Sequence, residues 1–270
     1  MFINLFDSHV HSDNSPEGRD LVTALCSAAV DKGISGICIT DACDREQYEE
    51  QKYGRRLMYS CFAAHKAQDI FSQQLIVTNG VEMCQPLADP DRAVQVIGEN
   101  RFDFVLGSLH KTRKYGDMMM LNYAHPALDL QDVFRSYYEE LLEVVQWGHF
   151  DSLAHLGYPL RYLKPYNRTV DLAQIDDVFA EIMKSLVAQG KALELNTGGL
   201  RMEIEAFTPS NKYLQMYKDY GGEMITIGSD AECCSDIGCD IQAGLELLKS
   251  VGFKYFTVYK NRQPVMLRLL

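Results

Sequence analysis

Residues 2–13 read FINLFDSHVHSD, an apolar run from Phe2 to Phe6 that passes directly into Asp7-Ser8-His9-Val10-His11. A short apolar segment ended by polar groups reads as a buried strand, predicted over Phe2–Phe6, with chemistry at its C-terminal end. His9 and His11 are two apart, so on an extended chain they share one face and can grip one ion. Alone, such a pair is more often incidental than a metal site. Here the pattern recurs. Strands predicted over Gly36–Thr40, Leu75–Val81, Phe102–Leu106, Ser152–Ala154, Ala192–Leu195 and Met224–Ile227 also meet ligand-type residues. These are Asp41, Glu82, His110, His155, Glu194 with Asn196, and Asp230 with Glu232. An eighth strand is predicted over Tyr255–Val258.

Between the strands lie amphipathic stretches. Asp20–Asp31, Leu128–Trp147 and Asp171–Gln189 carry apolar residues at helical spacing, and Gly33, Gly148 and Gly190 follow as stops. Seven or eight strand–helix alternations predict an α/β fold, a (β/α)7-8 TIM-like barrel. An open doubly wound sheet is the alternative, weakened because no GxGxxG follows the first strand. In a barrel the C-terminal strand ends converge on one mouth. Four of the seven histidines would meet carboxylates there, a donor set suited to Zn, Mn or Fe.

The whole chain bounds these readings. With 270 residues, 47% apolar and 23% charged, it has the composition of a globular protein, which excludes a disordered or fibrous chain. No linker or repeat divides it, so residues 1–270 are expected to form one domain. No run approaches 18 apolar residues, so no membrane span is expected. The segment before Asp7 lacks a basic start, so it does not read as a signal peptide. The eight cysteines include no CxxC pair; reduced thiols in a cytoplasmic protein are expected. A net charge of -11 disfavours a nucleic-acid partner but leaves room for a local basic pocket. Oligomeric state is not legible.

The ordered set His9-x-His11, Thr40-Asp41, Gly80-Val81-Glu82, Gly107-Ser108-Leu109-His110, Ala154-His155 and Gly228-Ser229-Asp230-Ala231 resembles the PHP (polymerase and histidinol phosphatase) family. Within it, Ala154–Arg161 and Glu194–Arg201, followed by Thr208-Pro209-Ser210, resemble the histidinol-phosphate phosphatase branch. The resemblance implies a distorted barrel holding two or three divalent ions (Mn, Fe or Zn). His9, His11, Glu82 and Asp230 would hold the first, and Glu82 would bridge to a second held by His110 and His155. These six are the expected catalytic residues. Arg161 and Arg201, with Asn196, would bind the phosphate of a small ester. The third position departs from the family pattern: Ala42, Glu17 and Glu232 stand where histidines are common. A third ion there would see the carboxylates of Glu17 and Glu232, which favour harder ions; the position could also be empty.

The implied reaction is hydrolysis of L-histidinol phosphate to L-histidinol and phosphate by metal-activated hydroxide, in histidine biosynthesis. Another small phosphate ester or a phosphodiester is the alternative substrate, and a silent binding module is the alternative from another class. The remaining polar features read blandly. Met118–Met120 suits core filling. Lys111 could add charge to the mouth or be a solvated surface group. Cys233 and Cys234 read as inert thiols. Asp41 would orient a ligand from behind.

Overall fold

The computed structural model describes residues 5–202 and 204–269. Among these residues, seven parallel strands follow one another around a barrel in chain order. They are β1 (Phe6–Val10), β2 (Gly36–Ile39), β3 (Ile76–Cys84), β4 (Phe104–Ser108), β5 (Ser152–Leu153), β6 (Ala192–Asn196) and β7 (Ile225–Gly228). A helix follows each strand: α1 (Val22–Asp31), α2 (Tyr53–Phe71), α3 (Pro90–Glu99), α4 (Leu130–Trp147), α5 (Asp176–Ala188), α6 (Asn211–Asp219) and α7 (Ile241–Val251). This is the predicted α/β barrel with seven βα units rather than eight. The wall nearly closes. Val10 and Ala231 form one parallel bridge, and the Asp7 carboxylate spans the seam, accepting from Ser229 N at 2.8 Å and Gly238 N at 2.9 Å.

The first strand lies further along the chain than predicted. Positions 2–4 of the expected Phe2–Phe6 fall outside the described residues, and β1 begins at Phe6 and itself carries Asp7 and His9. All five of its residues are buried. Asp7 and His9 find partners inside the barrel, while the buried Ser8 hydroxyl has none, so polarity did not mark the strand's end. β3 likewise runs on through Glu82 to Cys84. Its outer half pairs with Ala42–Asp44, which resumes the β2 register after a break at Thr40-Asp41.

The eighth predicted strand is real but lies outside the barrel. β8 (Tyr255–Lys260) forms an antiparallel hairpin with β9 (Gln263–Arg268) and packs Phe256 and Tyr259 against the barrel. Tyr259 stacks on Phe104 at 5.1 Å, at the start of β4. The hairpin thus covers the end opposite the mouth.

The helices follow their sequence signals. In α4, Val133, Phe134, Tyr137, Leu141, Val144 and Val145 are buried at three- and four-residue spacing, each contributing roughly 1.5–3 kcal/mol through burial. The Asp129 side chain caps its start, accepting from Gln131 N and Asp132 N, and Gly148 ends it at φ +70°, where a side chain would be strained. Among the described residues no helix is long and apolar enough to cross a membrane.

Candidate metal centre

The C-terminal strand ends bring the ligand-type side chains together as the barrel geometry requires. His9 and His11 leave the same face of β1 and its extension, and their Nε2 atoms lie 3.1 Å apart. His9 Nε2 is 3.6 Å from Asp230 Oδ1 and 3.9 Å from Glu82 Oε2. His11 Nε2 is 3.4 and 3.7 Å from the same two oxygens. A tetrahedron with bonds near 2.1 Å has edges of about 3.4 Å, so four donors already stand at the spacing a small divalent ion needs. The other oxygen of Glu82, Oε1, faces a second group. It lies 2.8 Å from His155 Nε2 and 3.4 Å from His110 Nε2, with the two imidazoles 3.4 Å apart. One carboxylate therefore faces both clusters.

Electrostatics follow from this packing. Burial pushes the carboxyls of Glu82 and Asp230 up, but the neighbouring histidines outweigh it and hold both well below the usual range. Burial pulls His9 and His11 down. Glu194 and Asp230 outweigh this at His9, lifting it well above its usual value, while Asp230 and Glu17 lift His11 to about 9. Anionic oxygens and closely spaced imidazoles thus form a buried donor set that suits divalent ions.

Behind the donors lie groups that aim them. The Asp41 carboxylate accepts from Ser12 N at 2.6 Å, Ser12 Oγ at 2.7 Å and Ser60 Oγ at 2.5 Å, fixing the turn after His11. Glu194 touches both clusters from the rear. Its place at a strand end was visible in the sequence, but no motif marked its role, because what matters is which backbone and ring atoms it meets. Gly228 permits the contact: a β-carbon there would lie 2.4 Å from His9 Cβ and 2.7 Å from Glu194 Oε1.

His9 is fully buried, and His11, Glu82, His110, His155 and Asp230 line a cavity of about 320 Å³. Arg161 lines it, with Nη2 3.5 Å from Asp230 Oδ2 and its guanidinium 4.6 Å over the Tyr158 ring. Its Nε is buried without a hydrogen-bond partner. Two expected phosphate contacts differ. Arg201 is absent from the cavity lining, and its Nη2 donates to the carbonyls of Ser229 at 2.9 Å and Asp230 at 3.3 Å. Asn196 is buried, donating from Nδ2 to Glu194 and accepting from Gly198 N. Asn196 ends β6 and Arg201 follows it; the Asn196 amide and Arg201 Nη2 are engaged by the protein itself, while Arg201 Nη1 is buried without a partner.

Glu17, Glu232 and Ala42 line the same cavity, as the shared third position required. Glu17 Oε1 is 3.4 Å from His11 Nδ1 and accepts from Ser15 Oγ, and it groups with His11 and Glu82 at metal-ligand spacing. Glu232 joins no such group among the described residues and lies 3.7 Å from Arg19. Burial, then Asp230 and Glu17, push its carboxyl up. Of the residues read blandly, Met118 is buried while Met119 reaches the cavity. Lys111 also lines it, tied to Asp44 at 3.2 Å and Glu46 at 2.7 Å. All eight cysteines are free, and Cys233 and Cys234 belong to no candidate metal group among the described residues.

Comparison with known proteins places this arrangement. A probable histidinol-phosphatase of Thermotoga maritima is 29% identical over 256 residues, covering 94% of this chain and 95% of the relative. A histidinol-phosphatase of Lactococcus lactis is 27% identical over 260 residues, covering 94% of each. The fold matches the crystal structure of a Lactococcus lactis histidinol phosphate phosphatase complexed with zinc, L-histidinol and phosphate. That match has a TM-score of 0.76 at 24% identity and covers 97% of this chain and 99% of the other. The PHP domain matches residues 7–198, the span that begins at the seam carboxylate and takes in both imidazole clusters, and the chain belongs to the PHP domain family.

Proposed function

We propose that this chain is a metal-dependent phosphomonoesterase, folded as one domain and acting in the cytoplasm, that hydrolyses L-histidinol phosphate to L-histidinol and phosphate. The observation that carries the reading is the Glu82 carboxylate, which presents one oxygen to His9 and His11 and the other to His110 and His155. Asp230 completes the first group. A donor set of this form suits two divalent ions, of which zinc is favoured by the imidazole content. Such ions, when bound, lower the pKa of water and stabilise charge on a transferring phosphoryl group.

The chain's own residues supply the rest. Arg161 offers a planar fork to the phosphate oxygens, and the Tyr158 face beneath it holds the fork at the cavity wall. Tyr158 also stacks on His110 at 4.4 Å, tying the phosphate-binding wall to the second cluster. Arg201 serves the site indirectly, holding the 229–230 backbone so that Asp230 faces inward at φ +57°. The full-length similarity to histidinol-phosphatases supports the choice of ester.

The test is a substrate panel. Zinc- or manganese-loaded protein should release phosphate from L-histidinol phosphate with a far higher kcat/KM than from p-nitrophenyl phosphate or bis(p-nitrophenyl) phosphate. A preference for the diester would assign a different reaction to the same centre.

A further inference from the structure

Glu194 is fully buried, and each of its oxygens meets a different ligand-bearing strand end. Oε1 accepts from His9 Nδ1 at 2.7 Å. Oε2 accepts from the backbone N–H of His155 at 2.7 Å and from Asn196 Nδ2 at 3.2 Å. His155 holds the unusual φ of +21°, so this bond fixes a backbone conformation few residues adopt. The close approach of β1, β6 and β7 here depends on the missing side chain of Gly228.

We propose that Glu194 is a positioning residue shared by both metal positions, holding His9 in the tautomer that frees Nε2 and holding the His155 backbone that aims its ring at Glu82. The inference rests on His9 and His155 being ligands, as read above. Its logic is an inventory of donors and acceptors. Three donors, from His9, His155 and Asn196, converge on Glu194, and a carboxylate can accept from all of them. Glutamine fills the same space with only one acceptor. If its oxygen faces the His155 N–H, its amide donates toward His9 Nδ1. His9 must then carry its proton on Nε2, the atom the first ion needs. If its oxygen faces His9 instead, its amide meets the His155 N–H donor to donor, and the 154–155 backbone is displaced from the second position. Because Glu82 spans both clusters, damage at one position is felt at the other.

The experiment is a zinc titration of the metal-stripped full-length protein by competition with a chromophoric chelator, comparing wild type with Glu194→Gln. Loss of a carboxylate behind ligating histidines typically weakens metal binding about 10- to 100-fold. That loss is expected at both positions. Two zinc ions bound by the variant with wild-type affinity, at either position, would overturn the inference while leaving the ligand reading intact. A wild type that binds no zinc would overturn the ligand reading and this inference with it. Should Glu194→Gln fail to fold, NMR of zinc-loaded, 15N-histidine-labelled wild type decides instead. A hydrogen-bonded proton on His9 Nδ1 is expected, and a bare Nδ1 would overturn the proposal.

Discussion

Arg161 lines the cavity, whereas Arg201 lies outside that lining and its Nη2 already holds two carbonyls. The two arginines should therefore separate in kinetics. Arg161→Ala should lower kcat/KM for phosphate esters about ten- to a hundredfold through loss of a charge-assisted contact. Its zinc content should match wild type. Arg201→Ala should instead release zinc more readily, because the loop carrying Asp230 loses its tether. Elemental analysis beside steady-state kinetics checks both, and unchanged kinetics with Arg161→Ala would contradict its role. A pH effect belongs at this scale too. In the metal-free protein His11 keeps its proton up to about pH 9, and an ion at Nε2 must displace that proton. Zinc affinity should keep rising from neutral pH to about 9, whereas an ordinary imidazole would let it level off by roughly 7.5. The same shift stabilises the metal-free fold below the ordinary imidazole pKa, and that contribution is lost as pH rises through about 9. Chelator competition across this range reads the affinity directly.

At the scale of elements, the contact between β7 and β1 leaves no room for a side chain at Gly228. In Gly228→Ala the new β-carbon would overlap His9 and Glu194. Overpacking of this kind costs about 1–3 kcal/mol, and the first metal position should weaken with it. Urea melts and zinc titration check the two effects together. The elements also show what the sequence could and could not disclose. The helix predicted over Leu128–Trp147 is observed as Leu130–Trp147, because an apolar stripe, an aspartate cap and a glycine stop are all local signals. β1 and β3 continue beyond their predicted ends because their polar residues point into a site that only the closed barrel creates. The eighth strand was legible as a strand, but its partner was not, since pairing with Gln263–Arg268 depends on where the barrel closes. In the site, His9, His11, Glu82, His110, His155 and Asp230 announce themselves by type and position. The positions of Arg201, Asn196 and Glu232 depend on which backbone atoms and neighbouring charges lie within reach, and spacing does not encode that.

Across the whole molecule the two barrel ends divide the work. The mouth gathers the donors, and the β8–β9 hairpin fastens the other end through buried carboxylates. Lys260 Nζ reaches Asp103 at 2.9 Å, Asn261 N donates to the same side chain, and Arg262 Nε pairs with Asp151. Asp151 also accepts from Val105 N at 2.8 Å, so it links the hairpin to β4. Burial pushes its carboxyl up, and Arg262 opposes that. Arg262→Ala would leave Asp151 without its cation and should cost up to about 3 kcal/mol. Turnover per folded molecule should be unchanged, since the hairpin is remote from the donors; denaturant melts and active-site-normalised rates check this. The account as a whole stands on two ions sharing Glu82 and acting on a phosphate ester. The most direct test is to titrate metal-stripped protein with zinc, manganese or ferrous ion and follow phosphate release from L-histidinol phosphate. Release that climbs to a plateau at two equivalents per chain, and is abolished in Glu82→Ala, is the predicted result; metal-replete protein that releases no phosphate from this ester would contradict it.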